Sequence, residues 1–151
     1  ISFHAYPKNS EEYRKATRYY SQNNIQSPKW NGAIGAEQLS WLRRVLETAM
    51  RKGENVVLFC HFPIYPKNIH NLWNAEEVID LLEQFPCVKA YINGHNHKGA
   101  YGVKEGIHYL TLKGMVETRQ TSYSVVKING DRIIISGYGR EKSRKLLISR
   151  D

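Results

Sequence analysis

Three histidines stand where a chain can present imidazole to a ligand. His61 directly follows the apolar run VVLFC at 56–60, and His95 and His97 follow VKAYI at 88–92 after Asn93-Gly94. The continuous apolar run VVLFC, rich in β-branched residues, suits a strand buried on both faces of a parallel sheet, and VKAYI reads as a second candidate strand. Parallel strands end on one edge, and ligands of open α/β sheets bind beyond the carboxyl ends of strands. Three imidazoles near one edge form the arrangement a divalent-metal site needs. An extended chain advances about 3.3 Å per residue, which puts alternate residues roughly 6–7 Å apart on one side. His95 and His97 are thus too far apart to chelate one ion without a bend. They suit two ions about 3.5–4 Å apart, the separation used by two-metal hydrolases. Gly94 is read as the residue that permits the sharp turn presenting the pair. A strand-end histidine or a His-x-His alone is commonly a hydrogen-bonded structural residue, so the weight rests on their combination. His4, His70 and His108 lack that context and are expected to be ordinary residues. Cys60 and Cys87 read as small buried hydrophobes, Cys60 facing away from its neighbour His61.

The elements that must position these side chains emerge from periodicity. Residues 10–20 predict a short helix opened by Ser10, with Glu11 and Glu12 in its first turn. The stretch SQNNIQSPKWNGAIG is turn-rich and predicts a surface loop. Over 37–52, Leu39, Leu42, Leu46, Ala49 and Met50 recur at helical steps, with Val45 widening the stripe and Gly53 placed to end it. Asn74 and Glu77 read as a capping-box-like start for a helix carrying Val78, Ile79, Leu81, Leu82 and Phe85, which ends before Pro86. Strand 56–60, this helix and strand 88–92 make a βαβ unit with parallel strands. The remainder reads as antiparallel: a strand at 108–113, then a hairpin of 123–128 and 132–136 around Asn129-Gly130-Asp131. Residues 137–151 are basic and read as irregular.

Composition narrows the class. The chain has 151 residues, 41% hydrophobic and 24% charged, with a mean hydropathy of −0.55. That excludes a collagen-like or mostly disordered chain and predicts one domain. No apolar run approaches the roughly 20 residues of a membrane span, and the opening ISFHAYPKNS has no long apolar core, so neither membrane nor signal peptide is expected. Two cysteines are no disulfide scaffold, which favours a reducing, cytoplasmic location. The net charge of +8 is scattered, with no run of five like charges. It reads as a solvated basic surface and not as a nucleic-acid footprint, which would show affinity falling steeply with salt.

The segments GAIGAEQLSWLRRVL, CHFPIYP, LWNAEEV, NGHNHKGAY, LKGMVET and GYGR, taken in this order, resemble the C-terminal half of a calcineurin-like metallophosphoesterase. The resemblance is closest to the manganese-dependent ADP-ribose/CDP-alcohol diphosphatases and covers nearly the whole chain. It implies an α/β sandwich of mixed β-sheets flanked by helices, and two divalent cations, manganese first, with iron or zinc as alternatives. His61 and His95 would share one ion and His97 would hold the other. The substrate class it implies is a phosphorylated small molecule whose diphosphate is cleaved to a nucleotide monophosphate and a second phosphate ester. Asn96 and Tyr101, flanking the histidine pair, are candidates to line its pocket.

One departure accompanies the match. The resembled family also uses Asp-x-His, a bridging aspartate in Gly-Asp, and Gly-Asn-His, all upstream of this half. None occurs here, and the aspartates are only Asp80, Asp131 and Asp151. The expectation is therefore a single partial domain over 1–151 whose N-terminal half is absent, in the same or a separate chain. The polypeptide alone would be inactive, and the complete protein would be the metal-dependent phosphohydrolase. The alternative from another class is a non-catalytic interaction module that keeps the half-fold.

Overall fold

The computed structural model describes residues 1–148. Helix α1 (Glu11–Gln22) begins at Ser10, whose hydroxyl accepts the Tyr13 N–H. Helix α2 (Ala36–Lys52) ends at Gly53, which adopts the left-handed conformation with φ 65° and returns its N–H to the last carbonyls. Only Leu42, Leu46 and Ala49 of its apolar stripe are buried; Val45 and Met50 remain exposed, so the core-facing stripe is narrower than the periodicity predicted. Helix α3 (Ala75–Glu83) follows Asn74, whose side chain makes no helix-cap bond. Its amide instead donates to Glu77 Oε2 and the Ile34 carbonyl and accepts the Ile34 N–H, tying α3 to the start of α2.

The strands are β1 (Val56–Phe59), β2 (Val88–Asn93), β3 (Ala100–Lys104), β4 (Ile107–Thr111), β5 (Ser122–Asn129), β6 (Arg132–Gly139) and β7 (Arg144–Leu147). They form one sheet in the order β1-β2-β4-β3 and a second in the order β5-β6-β7. β1 and β2 are parallel neighbours, the two ends of the expected βαβ unit. β4 also runs parallel to β2, contrary to the antiparallel reading of that region, because β3 intervenes as an antiparallel return before it. The second sheet is antiparallel throughout. Its β6 and β7 replace the irregular C-terminal segment expected from the sequence; residues 149–151, including Asp151, lie outside the described part. β1 is an edge strand with Phe59 exposed, so its apolar run marks a half-buried strand and not one covered on both faces.

Three layers result. On one face of the first sheet, Leu42 and Leu46 of α2 and Val78, Ile79 and Leu82 of α3 pack on Val88, Tyr91, Ile107 and Tyr109. On the other, Ala90, Ile92 and Leu110 meet Ile133, Ile135, Leu146 and Ile148 of the second sheet. Leu46 is fully buried, and truncating such a leucine to alanine costs about 3 kcal/mol. β2 lies between both cores with every residue buried, which makes its carboxyl end a rigid platform for the turn that carries His95 and His97. Among the described residues, no helix is long and apolar enough to cross a membrane.

Candidate metal centre

The β1–β2 ladder continues one step past both strands. Cys60 N–H donates to the Ile92 carbonyl at 3.1 Å, and Gly94 N–H donates to the His61 carbonyl at 3.1 Å. The backbones carrying His61 and His95 are thereby pinned together. The turn residue in the left-handed region is His95 itself, with φ 64°, and not Gly94 as the sequence suggested. A β-carbon at Gly94 would meet nothing closer than the His61 carbonyl oxygen at 3.9 Å. A histidine held at positive φ is uncommon and is the kind of backbone strain that clusters at functional sites.

The result is a contact between two imidazoles: His61 Nε2 and His95 Nδ1 lie 3.1 Å apart. Bonds of about 2.1 Å meeting near a right angle would place two ligands of one cation about 3 Å from each other, so the pair fits a shared ion. His95 is further enclosed by Phe62, with ring centroids 4.5 Å apart, and by His70 at 5.5 Å. Burial, followed by the nearby His61, His70 and His97, lowers the His95 pKa from its ordinary 6.5 to about 4. The ring is therefore neutral at physiological pH, the form that ligates metals. Its other nitrogen, Nε2, lies 3.0 Å from Asn31 Oδ1.

His97 stands apart from this pair. Its Nδ1 faces Glu117 Oε1 at 3.2 Å, and its carbonyl accepts the Gly114 N–H at 3.2 Å. The ring lies flat on Gly114, where a β-carbon would come within 2.6 Å of the ring carbons. All three histidines nonetheless line one cavity of about 420 Å³, together with Phe59, Met115 and Val116. Three larger cavities, near Arg43 and Asp80, beside the β1 edge, and beside Trp41 and Val45, hold none of these histidines.

Among the described residues, no group of three or more His, Cys, Asp or Glu side chains gathers closely enough to hold a metal ion by itself. Asp131 is committed to Arg132 in a hairpin turn, and Asp80 lies within α3. Among the described residues, the side chains fit as part of a metal centre, and Glu117, the carboxylate beside the histidines, is engaged with His97 Nδ1.

Asn96 and Tyr101 are not among the residues lining the histidine cavity. Asn96 Oδ1 accepts the Lys98 N–H within its own turn. The Tyr101 hydroxyl is 2.8 Å from His108 Nδ1, and His108 Nε2 donates to the Leu147 carbonyl, a clamp between the two sheets. Residues near the histidines that the pattern did not single out are Asn31, His70 and Glu117. Asn31 belongs to the segment read as a surface loop, yet residues 31–33 are buried. Nothing local announces that burial; the segment is held by long-range bonds, Asn31 Nδ2 to the Ile69 carbonyl, Trp73 N–H to the Gly32 carbonyl and Ala33 N–H to the Ile1 carbonyl. Cys87 is buried as expected and Cys60 is half-buried; both are free.

A helix-backed sheet with histidines at adjacent parallel strand ends and a second sheet behind it is the architecture of a calcineurin-like metallophosphoesterase. In agreement, the chain superposes on a dimetal phosphatase from Danio rerio with a TM-score of 0.88 and 27% identity, covering 99% of this chain and 55% of that one. No family model matches the sequence. By sequence the chain is a homologue of the manganese-dependent ADP-ribose/CDP-alcohol diphosphatases. It is 36% identical to that of Xenopus tropicalis over 128 residues, which are 81% of this chain and 37% of the relative. It is 35% identical to that of Oryza sativa over 114 residues, 72% of this chain and 36% of the relative. It is 30% identical to that of Homo sapiens over 142 residues, 88% of this chain and 42% of the relative. The chain thus spans about two-fifths of the length of these curated relatives.

Proposed function

We propose that this chain forms the histidine side of a two-metal phosphohydrolase centre that cleaves the diphosphate of nucleoside diphosphate derivatives of the ADP-ribose or CDP-alcohol type. The observation that carries the reading is the 3.1 Å approach of His61 Nε2 to His95 Nδ1 across adjacent parallel strand ends. His61 and His95 would hold one Mn²⁺, and His97, in the same cavity, would hold the second. The bound cations supply Lewis acidity toward the phosphoryl oxygens and activate water.

The chain's own residues do the positioning. The β1–β2 ladder fixes the two ring-bearing backbones, Glu117 orients His97, and Phe59, Met115 and Val116 give the cavity an apolar wall against the organic part of the ester. Neutral imidazoles alone leave two dications uncompensated, so carboxylate ligands, and the acid that protonates the leaving group, belong to a part of the protein beyond these 151 residues. The polypeptide by itself is then a weak metal binder without turnover.

The test is Mn²⁺-dependent release of AMP from ADP-ribose, and of CMP from a CDP-alcohol, by the full-length protein. Release that stops on chelation and returns with Mn²⁺ supports the reading. An inert full-length protein toward every diphosphate and phosphodiester offered overturns it and leaves the interaction module.

A further inference from the structure

Resting on the metal-centre reading, we propose that Asn31 is a positioning residue that fixes the tautomer of His95 and so directs Nδ1 toward the ion shared with His61. Asn31 is fully buried. Its Nδ2 lies 2.7 Å from the Ile69 carbonyl, which can only accept, so the amide NH₂ must face that carbonyl. The amide oxygen is thereby left toward His95 Nε2 at 3.0 Å. An amide oxygen also only accepts, so Nε2 carries the proton of the neutral ring and Nδ1 is left as a bare lone pair.

That bare nitrogen is the one 3.1 Å from His61 Nε2. Flipping the amide would set NH₂ against N–H at one end and oxygen against oxygen at the other, with both groups buried and unsatisfied. The anchor is itself held from both sides: Asn31 N–H donates to the Pro28 carbonyl, and the Gly32 carbonyl accepts the Trp73 N–H at 2.8 Å. The chain of dependence runs from the Ile69 carbonyl through the Asn31 amide to the His95 ring. An outer partner that sets ring orientation in this way typically accounts for a 10–100-fold change in metal affinity.

Long-range ¹H–¹⁵N correlation of histidine side chains in the metal-free, full-length protein tests this, with the His95 signals assigned by their loss in His95→Gln. The wild type is expected in the Nε2–H form. Asn31→Ala should lose that preference and weaken Mn²⁺ binding about 10–100-fold, whereas Asn31→Asp, whose buried protonated carboxyl can donate to the Ile69 carbonyl and still accept from Nε2–H, should retain the tautomer and most of the affinity. An Nδ1–H form in the wild type overturns the proposal. So does Asn31→Ala with tautomer and affinity unaltered, or Asn31→Asp behaving like Asn31→Ala, which would assign Asn31 only the structural tie to Ile69. Should Asn31→Ala fail to fold, the wild-type spectrum and Asn31→Asp still decide. A full-length protein that binds no Mn²⁺ removes the metal-centre reading, while the spectrum settles the tautomer independently.

Discussion

His61 and His95 are 34 residues apart in the chain, yet their Nε2 and Nδ1 atoms lie 3.1 Å from each other. The contact exists because two parallel strands end at the same level and share one further rung of backbone hydrogen bonds beyond their last strand residues. Two ring nitrogens this close need one N–H between them or a cation in its place.

The proposed sharing of one ion by His61 and His95 predicts non-additive loss. His61→Ala and His95→Ala should each weaken the first Mn²⁺ site of the full-length protein at least about 10-fold, and the double variant little more than either, since residues acting on one ion couple strongly. His97→Ala should weaken the other site instead. Mn²⁺ titration followed by electron paramagnetic resonance distinguishes the sites. Additive losses from His61 and His95 would mean separate ions.

The low pKa of His95 predicts an acid-labile fold. In the unfolded chain this ring takes a proton near its ordinary 6.5, while the folded protein resists until about 4. Above the unfolded value neither state is protonated and stability is undiminished. As pH falls from 6.5 toward 4, only the unfolded state gains the proton, so stability declines across that window. Thermal melting of metal-free protein at steps through this range should show a falling midpoint, with a shallower slope in His95→Gln. Parallel slopes in both proteins would remove His95 as a cause.

How much of this was legible depends on which forces act locally. β2 was readable, and with it the place of His95 and His97, because Val88, Ala90, Tyr91 and Ile92 are apolar, although Lys89 and Asn93 are buried with them. β3 was not: Ala100–Lys104 alternates half-buried and exposed positions, so it shows little apolar signal. Without it, the parallel direction of β4 had no basis in the sequence. β7 escaped because Arg144 and Lys145 mark a basic surface, while its one buried residue, Leu146, is recognisable only against β6 and β2. Asn31 reads as loop polarity, and its role depends on Ile69 and His95, both distant in sequence. Candidate residues on regular strand ends are visible in a sequence; those brought near by a tertiary hydrogen bond are not.

Gly114 offers a way to move one ring without disturbing the fold. An added β-carbon would meet the His97 ring at 2.6 Å, and that ring is a side chain partly exposed beside the cavity, with room to turn away. Gly114→Ala should therefore displace His97, weaken the second Mn²⁺ site, leave the His61–His95 site near wild type, and change the melting temperature little. Loss of both sites together would show that the alanine disrupts the loop and not the ring alone.

The loop beneath His97 is braced from the second sheet, which predicts a stability effect from a residue that touches no histidine. The Glu141 side chain is 1% exposed and its carboxylate accepts from Lys113 N–H at 2.7 Å, Lys142 N–H at 3.0 Å and Arg144 Nη1 at 2.7 Å. Its neighbour Arg140 donates through Nη2 to the Gly114 carbonyl, so the β6–β7 turn grips both ends of the Lys113-Gly114 pair. Glu141→Ala leaves Arg144 without its partner and two N–H groups unsatisfied in a largely buried setting, at a cost of about 3 kcal/mol, or roughly 6–12 °C in melting temperature for a domain of this size. Glu141→Gln keeps the acceptor oxygen and the shape but not the charge, and should lose less. Calorimetric melting of the three proteins checks the order. A Glu141→Ala protein as stable as wild type would show that the turn is held by the sheet alone, and Glu141 would then not support the wall of the metal cavity.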